Sequence, residues 1–383
     1  MNLPSKLAVP LLVALAVAAC GGSSDLPLTS GRAFPATPSC PGSRAGQAQC
    51  DLLVEKTGVR PDLAGWTPAN LRAAYDLPST RKGTGQIIAI VDAFDNPKVA
   101  SDLAAYRKYF KIPPATFAKY NQDGKQSNYP SKNKGWGQEI DLDIEMVSAI
   151  CPNCTIYLIE ARTNTQRNLY EAEKTATKLG ASIISNSWGG YNDYPSNGAF
   201  DVPGITYVAS AGDGGYGMQE PAAYVTVVSV GGTVLSKNAG KYSETVWEDT
   251  GGGCSDIPKP RWQHDPRCTY RTGNDVSAVA SNVAFYDTYG LDGWGTADGT
   301  SVSAPIIASV FALAGDASAQ EGGRKFWHLR RTRRHDLHYV MSGQIANCPP
   351  SLQGTYLCTA GTNQFETYSS PAGWGTPNGI AAF

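Results

Sequence analysis

The run Ile87-Ile88-Ala89-Ile90-Val91 is apolar throughout and mostly β-branched, and it reads as a strand buried on both faces. Further short β-rich runs follow at residues 156–159, 182–185, 205–209 and 225–230. Helical patterns lie between them at residues 100–110, 139–150 and 169–179. Strand, helix, strand, helix is the order of a parallel sheet, because parallel neighbours need a crossover and a helix supplies it. The predicted fold class is α/β, a doubly wound, mostly parallel sheet with helices on both faces. In such sheets functional groups gather at the carboxyl ends of the strands.

Upstream of that run, Thr67 is placed to cap a helix with Pro68 at its first position, so the folded core is expected to begin near Trp66. Residues 20–65 are rich in Gly, Ser, Pro and Ala without sustained periodicity and read as a tether or linker. Downstream, residues 232–299 are rich in glycine and loops, and an apolar helix is expected over residues 303–314. With no second core and no internal repeat, residues 66–383 read as one catalytic-size domain. The 383 residues carry 32 Lys and Arg against 33 Asp and Glu, and a net charge of -1 excludes a nucleic-acid partner for the chain as a whole. A charged fraction of 17% with 10% aromatics excludes wholesale disorder.

Residues 1–19 read as a targeting signal, with Lys6 in the positive region and an apolar stretch, interrupted by Pro10, that is too short to span a bilayer. The stretch ends in Val17-Ala18-Ala19-Cys20, which resembles the lipobox of bacterial lipoproteins. That resemblance implies cleavage before Cys20, lipidation of its thiol and a Gly21-Gly22-Ser23-Ser24 tether. The alternative is a plain signal peptide cut at Ala19. Either way the rest of the chain is expected outside the cytoplasm, at the cell surface or in the periplasm, with an anchored form open to later release. Of nine cysteines, eight remain after Cys20. Taking neighbours together pairs Cys40 with Cys50, Cys151 with Cys154, Cys254 with Cys268 and Cys348 with Cys358, although the sequence alone does not fix the connectivity. Each bridge would close a small loop in an oxidising compartment. Cys151-Pro152-Asn153-Cys154 also has the form of a redox or zinc motif, but no second CxxC or His pair accompanies it.

Gly299-Thr300-Ser301-Val302-Ser303-Ala304-Pro305 places a serine at a glycine turn opening a buried helix, where the dipole and free amides favour developing negative charge. The bland alternative is an ordinary helix cap. A serine nucleophile needs a base, and the only four histidines are His264, His328, His335 and His338. Three lie in a basic stretch and His264 in a loop, which leaves a carboxylate as the better-supported base. Glu139 and Asp143 share a helix face, and so do Asp141 and Glu145; spacing does not choose between the pairs. Two carboxyls held close share a proton and split their apparent pKa values, so one can serve as a base in acid, where a histidine is protonated. Val208-Ala209-Ser210-Ala211-Gly212-Asp213-Gly214-Gly215 ends a buried strand in a glycine turn, with Asp213 either stabilising the turn or, protonated, donating to an oxyanion.

Together and in this order these segments resemble the sedolisin family, the serine-carboxyl peptidases with a subtilisin-like fold, over about residues 66–383. Glu139-Ile140-Asp141-Leu142-Asp143-Ile144-Glu145 is similar to the family segment that carries its Glu and Asp. That register implies Glu139 as general base, Asp143 as its partner, Ser301 as nucleophile and Asp213 as the oxyanion acid. Further matches are Ser185-Asn186-Ser187-Trp188-Gly189, Val230-Gly231-Gly232-Thr233, Gly251-Gly252-Gly253 and Gly375-Thr376-Pro377-Asn378-Gly379. The first implies that Ser187, Trp188 and Gly189 line the substrate cleft. Asp92 falls where subtilisins keep their triad Asp, and the subtilisin His has no counterpart.

The sequence also departs from that pattern. The family's calcium site near the C-terminus uses two Asp, and the corresponding positions here are Tyr339 and Ser369. Losing both carboxylates argues against calcium, with Asp336 as a substitute only after a shift, so no cofactor is expected. Residues 323–338 carry six Lys or Arg and three of the four histidines; they read as a solvated basic loop or, less simply, a docking patch. The family's large N-terminal activation domain does not fit within residues 20–65, so the domain is expected to fold without it or to receive it separately. The expected function is a monomeric, lipid-anchored, acid-acting serine endopeptidase with protein or peptide substrates. Its rivals are an inactive surface lipoprotein that uses the fold for binding, and a neutral-pH hydrolase using His264.

Overall fold

The computed structural model describes residues 37–40, 44–58, 65–191, 198–315, 322–329, 335–363 and 367–383. The targeting signal, Cys20, its tether and residues 330–334 of the basic stretch lie outside the described residues. In chain order the elements begin with β1 (Thr37–Pro38), β2 (Gln49–Cys50), β3 (Leu53–Gly58) and α1 (Pro68–Ala74). There follow β4 (Ile87–Ala93), α2 (Val99–Tyr109), β5 (Thr116–Asn121), α3 (Lys134–Ile150), β6 (Thr155–Ala161) and α4 (Gln166–Lys178). Next come β7 (Ile183–Asn186), β8 (Trp188–Gly189), β9 (Thr206–Ser210), β10 (Val227–Asn238) and β11 (Lys241–Val246). The rest is β12 (Cys254–Pro258), β13 (Tyr270–Thr272), β14 (Val276–Val279), β15 (Val283–Asp287), β16 (Gly293–Asp298), α5 (Thr300–Ala314) and α6 (Arg324–Trp327).

The central sheet runs β11-β10-β9-β7-β4-β6-β5, and β14 pairs with β10 as the eighth strand. Every pair in it is parallel except β10 with β11. β4 sits between β6 and β7, and residues Ile88, Ala89, Ile90 and Val91 are fully buried. That central place, covered on both faces, is why its sequence is continuously apolar rather than alternating. α3 and α5 pack on each other against the sheet, and α4 covers β4 and β6 from the other face. The predicted α/β fold with a mostly parallel sheet is therefore present. Thr67 caps α1 in a reciprocal box with Asn70, and Asn133 caps α3 by accepting from the Trp136 amide at 3.1 Å. All four neighbour pairings of cysteine form disulfides.

Three expectations need correction. Residues 20–65 are not a linker throughout: β1 and β3 join β15 and β16 in a second, antiparallel sheet, and Cys40, Cys50, Leu52 and Val54 are buried in the main core. β1 and β2 have two residues each and no period to read, and β3 is a single six-residue run, Leu-Val-Glu-Lys-Thr-Gly, with too few apolar residues to stand out, so the stretch passes for linker. Residues 232–299 hold strands, not chiefly loops; β12 to β16 are short, and most pair with partners remote in sequence or across tight turns. The basic stretch is anchored where it is described. Phe326 packs edge-on against Phe311 and Phe383, and Trp327 packs on Tyr368 and Trp374 and donates to Asp275 at 3.3 Å.

Candidate active site

Ser301 opens α5 and is fully buried. Gly299, just before the helix, has φ 138°, and a Cβ there would lie 2.1 Å from the Asp51 carbonyl oxygen, so no other residue fits this turn. Ser301 Oγ donates to the Ser187 carbonyl at 3.2 Å. The first free amides of α5 are both in use: Thr300 N donates to Asp213 Oδ1 at 2.8 Å and Ser301 N to Asp51 O at 3.2 Å.

The acids of α3 sit on a helix buried on every side from Trp136 to Ile150. The structure separates the two pairs that spacing left equal. Glu139 and Asp143 face Ser301 and the carboxyl end of β4, and Ser187 Oγ donates to Asp143 Oδ1 at 2.7 Å. Asp141 and Glu145 face away, taking hydrogen bonds from Asn96 Nδ2 at 2.7 Å and the Tyr286 amide at 2.8 Å. Burial pushes Glu139 well above the usual carboxylate range, and neighbouring Asp143 and Asp92 push it further, while the Ser301 hydroxyl favours its ionised form. Burial and Asp92 raise Asp143 as well, against the hydrogen bond from Ser187, while both Glu139 oxygens and Asp143 Oδ2 are buried without a hydrogen-bond partner. Two carboxyls held close in this way share a proton and split their apparent pKa values.

Asp213 stands at the carboxyl end of β9. Its Oδ1 accepts from both the amide and the hydroxyl of Thr300, each at 2.8 Å, while its buried Oδ2 has no hydrogen-bond partner. Burial and then the charge of Asp51 raise its pKa well above the ordinary value. A proton retained on Oδ2 turns this oxygen into a donor beside the start of α5.

Two residues of the site carry no signal in the sequence. Asp51, in the presumed linker, is buried among the other acids; burial raises it to about 7, against a hydrogen bond from Ser210. Ser210, inside a quoted motif but given no role, makes that bond at 2.7 Å. Asp92, singled out only by its position after the first strand, is fully buried and raised by burial to about 8. Its signals in the sequence are a β-strand carboxyl end and its match to the position of the subtilisin triad Asp. Of the cleft residues, Ser187 touches both Asp143 and Ser301, while Trp188 and Gly189 form β8, which pairs with β2. His264, His328, His335 and His338 are all exposed, whereas Ser301 is not.

At the calcium position implied by the resemblance, Tyr339 is exposed and Ser369 is buried, neither supplies charge, and Asp336 ion-pairs with His335 at 3.1 Å. These donors do not fit a hard dication. Among the described residues, one oxygen from each of Asp102, Asp141 and Asp287 lies within 4.8 Å of the others. Asp287 accepts from the amides of Tyr289, Gly290 and Leu291, and Asp102 from Thr288. Those bonds engage Asp287 and Asp102, and burial raises the pKa of Asp102 and Asp141 above the ordinary carboxylate range, which disfavours the charged form a cation needs.

A mostly parallel sheet with a serine opening a buried helix, and acids from neighbouring strand and helix ends around it, is a subtilisin-like arrangement. The chain belongs to the subtilase family, whose family model matches residues 118–375. Kumamolisin from Bacillus sp. (strain MN-32) is 32% identical over 287 residues, 64% of this chain and 51% of its own length. Subtilisin DY from Bacillus licheniformis is 26% identical over 180 residues, 44% of this chain and 56% of its own. The chain thus spans about half the length of the curated relatives it matches. Among solved structures, Pseudomonas sedolisin, a serine-carboxyl proteinase complexed with two molecules of pseudo-iodotyrostatin, matches with a TM-score of 0.68 at 21% identity. The match covers 82% of this chain and 96% of that one, and it is a likeness of fold. The sedolisin resemblance carried by the motifs is borne out by kumamolisin together with this fold.

Proposed function

We propose that the chain is a serine-type endopeptidase acting at acidic pH through Ser301, Glu139 and Asp143, with Asp213 stabilising the oxyanion. The observation that carries this is the company Ser301 keeps: buried carboxyls surround it while every histidine is exposed. Ser301 Oγ attacks the scissile carbonyl as Glu139 takes its proton, with Asp143 positioning Glu139 and accepting part of the shared proton's burden. The carbonyl oxygen becomes an oxyanion held by the Ser301 amide and by protonated Asp213. Glu139 then protonates the leaving amine, and water hydrolyses the acyl-enzyme by the same route in reverse.

Cleavage of a denatured protein from pH 3 to 8, beside Ser301→Ala, tests this. Activity confined to acid and lost in the variant is expected; equal behaviour of two folded proteins would leave the inactive binding lipoprotein in its place. The proposal extends to an extracytoplasmic, monomeric protein anchored through lipid on Cys20. The four disulfides support an oxidising compartment. Incorporation of labelled fatty acid, abolished by Cys20→Ser, tests the anchor.

A further inference from the structure

The turn that carries Asp213 has little stiffness of its own. Four of the six residues in Gly212-Asp213-Gly214-Gly215-Tyr216-Gly217 are glycine, and Gly212, Gly215 and Gly217 take positive φ. Such a turn keeps one shape only if its backbone is held from outside, and two segments hold it. Gly215 N donates to Asp249 O at 2.9 Å and Gly217 N to Gly252 O at 2.7 Å. The second segment is residues 344–348. Tyr216 N donates to Ala346 O at 2.9 Å, and Asn347 Nδ2 donates to Gly214 O at 3.0 Å. A Cβ on Gly215 would collide with the Ala346 carbonyl oxygen, so the turn and this segment pack backbone to backbone.

Residues 344–348 are not fastened to the main core. Val246, Val340, Ile345, Cys358, Ala360 and Ala372 form a small apolar cluster of their own, and Tyr216 and Cys348 pack on it. The Cys348–Cys358 disulfide ties the segment to that cluster, and Ile345 N donates to Cys358 O at 2.9 Å beside it. The nearby Tyr339 and Ser369 do not fit a cation, so the bridge and the cluster do the holding. Cys40–Cys50 and Cys151–Cys154 are buried at both ends. Cys348, by contrast, is half-buried, and it shares with Cys358 a cavity of about 360 Å³ lined also by Gln344, Asn347, Gln353 and Thr359.

We infer that the Cys348–Cys358 disulfide is a thiol-exchange site, open to a dithiol through this cavity, and that its redox state sets how firmly Asp213 is held at the oxyanion position. This rests on the peptidase reading above. A thiolate of the dithiol attacks Cys348 Sγ, the bond to Cys358 Sγ breaks, and Cys358 leaves as a thiolate that takes up a proton. The second thiol of the dithiol then displaces Cys348 from the mixed disulfide. The dithiol is oxidised by two electrons to a disulfide, and the protein gains two thiols. With the bridge open, the loop between the cysteines recovers its freedom. Ala346 and Asn347 loosen, and the turn at Asp213 loosens with them. A reduced chain therefore works slowly and reaches its full rate only where the bridge forms.

Hydrogen exchange of the full chain, carrying Ser301→Ala to prevent self-digestion, reads the turn; peptide cleavage at pH 4 by the active chain reads the consequence. Cys348→Ser/Cys358→Ser should speed exchange at the amides of Gly215, Tyr216 and Gly217 at least about 10-fold, with β4 unchanged. It should lower kcat about 10-fold with KM little changed. Dithiothreitol applied at pH 8, then transfer to acid where too little thiolate remains for exchange, should do the same to wild type and add nothing to the double variant. That treatment also serves if the double variant does not fold. In Asp213→Ala, opening the bridge should cost no further kcat, because the group it positions is gone. A chelator should change neither readout. Unaltered exchange at the turn overturns the inference. So does a loss of rate that persists in full in Asp213→Ala, a reductant effect as large in the double variant, or a chelator that loosens the turn. Faster exchange with no cleavage by either form overturns the peptidase reading and leaves the disulfide as the clasp of this turn.

Discussion

Ser187 Oγ donates to Asp143 Oδ1 at 2.7 Å, while the carbonyl of the same residue accepts from Ser301 Oγ at 3.2 Å. One residue at the end of β7 thus ties the acid pair to the nucleophile, and its side chain and backbone do separate jobs. Ser187→Ala removes only the first. Asp143 loses a donor that favours its ionised form, so its pKa should climb further. The acid limb of the kcat profile should then move to higher pH and kcat should fall about 10- to 100-fold, with KM little changed. Leaving the carboxylate short of a partner should also cost about 1–3 kcal/mol of stability. An acid limb that stays in place would remove Ser187 from the positioning of Asp143.

Stability should fall as the pH rises. Burial raises Asp51 to about 7 and Asp92 to about 8, and Glu139, Asp143 and Asp213 also move upward. Unfolded, such carboxyls titrate near about 4, so above that pH the folded chain holds more protons than the unfolded one. Their contribution is fully present below about pH 4 and is lost as pH climbs through the folded values of about 7 and about 8. The Tm of Ser301→Ala, used to prevent self-digestion, should be higher at pH 5 than at pH 8. Adding Asp92→Asn, which stays neutral throughout, should raise the Tm at pH 8 and flatten the dependence, the difference being on the order of a few kcal/mol. A Tm that rises between pH 5 and 8 would contradict this account.

The parts of this architecture that the sequence announces are those with a local pattern. Ile87 to Val91 could be read because a central parallel strand is apolar on both faces, and Thr67-Pro68 because a helix start is written in its first residues. Spacing shows Glu139 and Asp143 as one of two equivalent pairs, since a helix face does not say what will lie against it; the choice between the pairs comes from the family resemblance in the sequence and from Ser187 and Ser301 in the fold. Asp51 was invisible. It follows a two-residue strand, β2, that has no period to read, and its partners Ser187, Ser210 and Ser301 are brought to it solely by the tertiary fold.

Histidine should have no part in the pH dependence. His264 lies exposed between β12 and β13, and the other three histidines are exposed as well. His264→Ala should therefore leave kcat/KM within about twofold across the profile, since surface changes away from a site have small effects. A loss of about 100-fold, the scale of a general base, would reinstate a histidine mechanism and displace Glu139.

Asp213 offers the sharpest separation of roles, because its two oxygens differ. Oδ1 is committed to the Thr300 amide and hydroxyl, and Oδ2 is buried without a partner. If Oδ2 carries the proton that meets the oxyanion, Asp213→Ala removes one donor and should lower kcat about 100- to 1,000-fold with a smaller change in KM. Asp213→Asn is the more telling variant. Its amide can accept from Thr300 through oxygen and donate through nitrogen, and unlike the acid it donates at every pH. Activity should be partly restored relative to Asp213→Ala, and any part of the alkaline limb that reports ionisation of Asp213 should disappear. Profiles of kcat for the two variants, measured beside wild type, check this. Equal losses in both, with the alkaline limb unmoved, would mean that Asp213 only fixes the turn at Thr300.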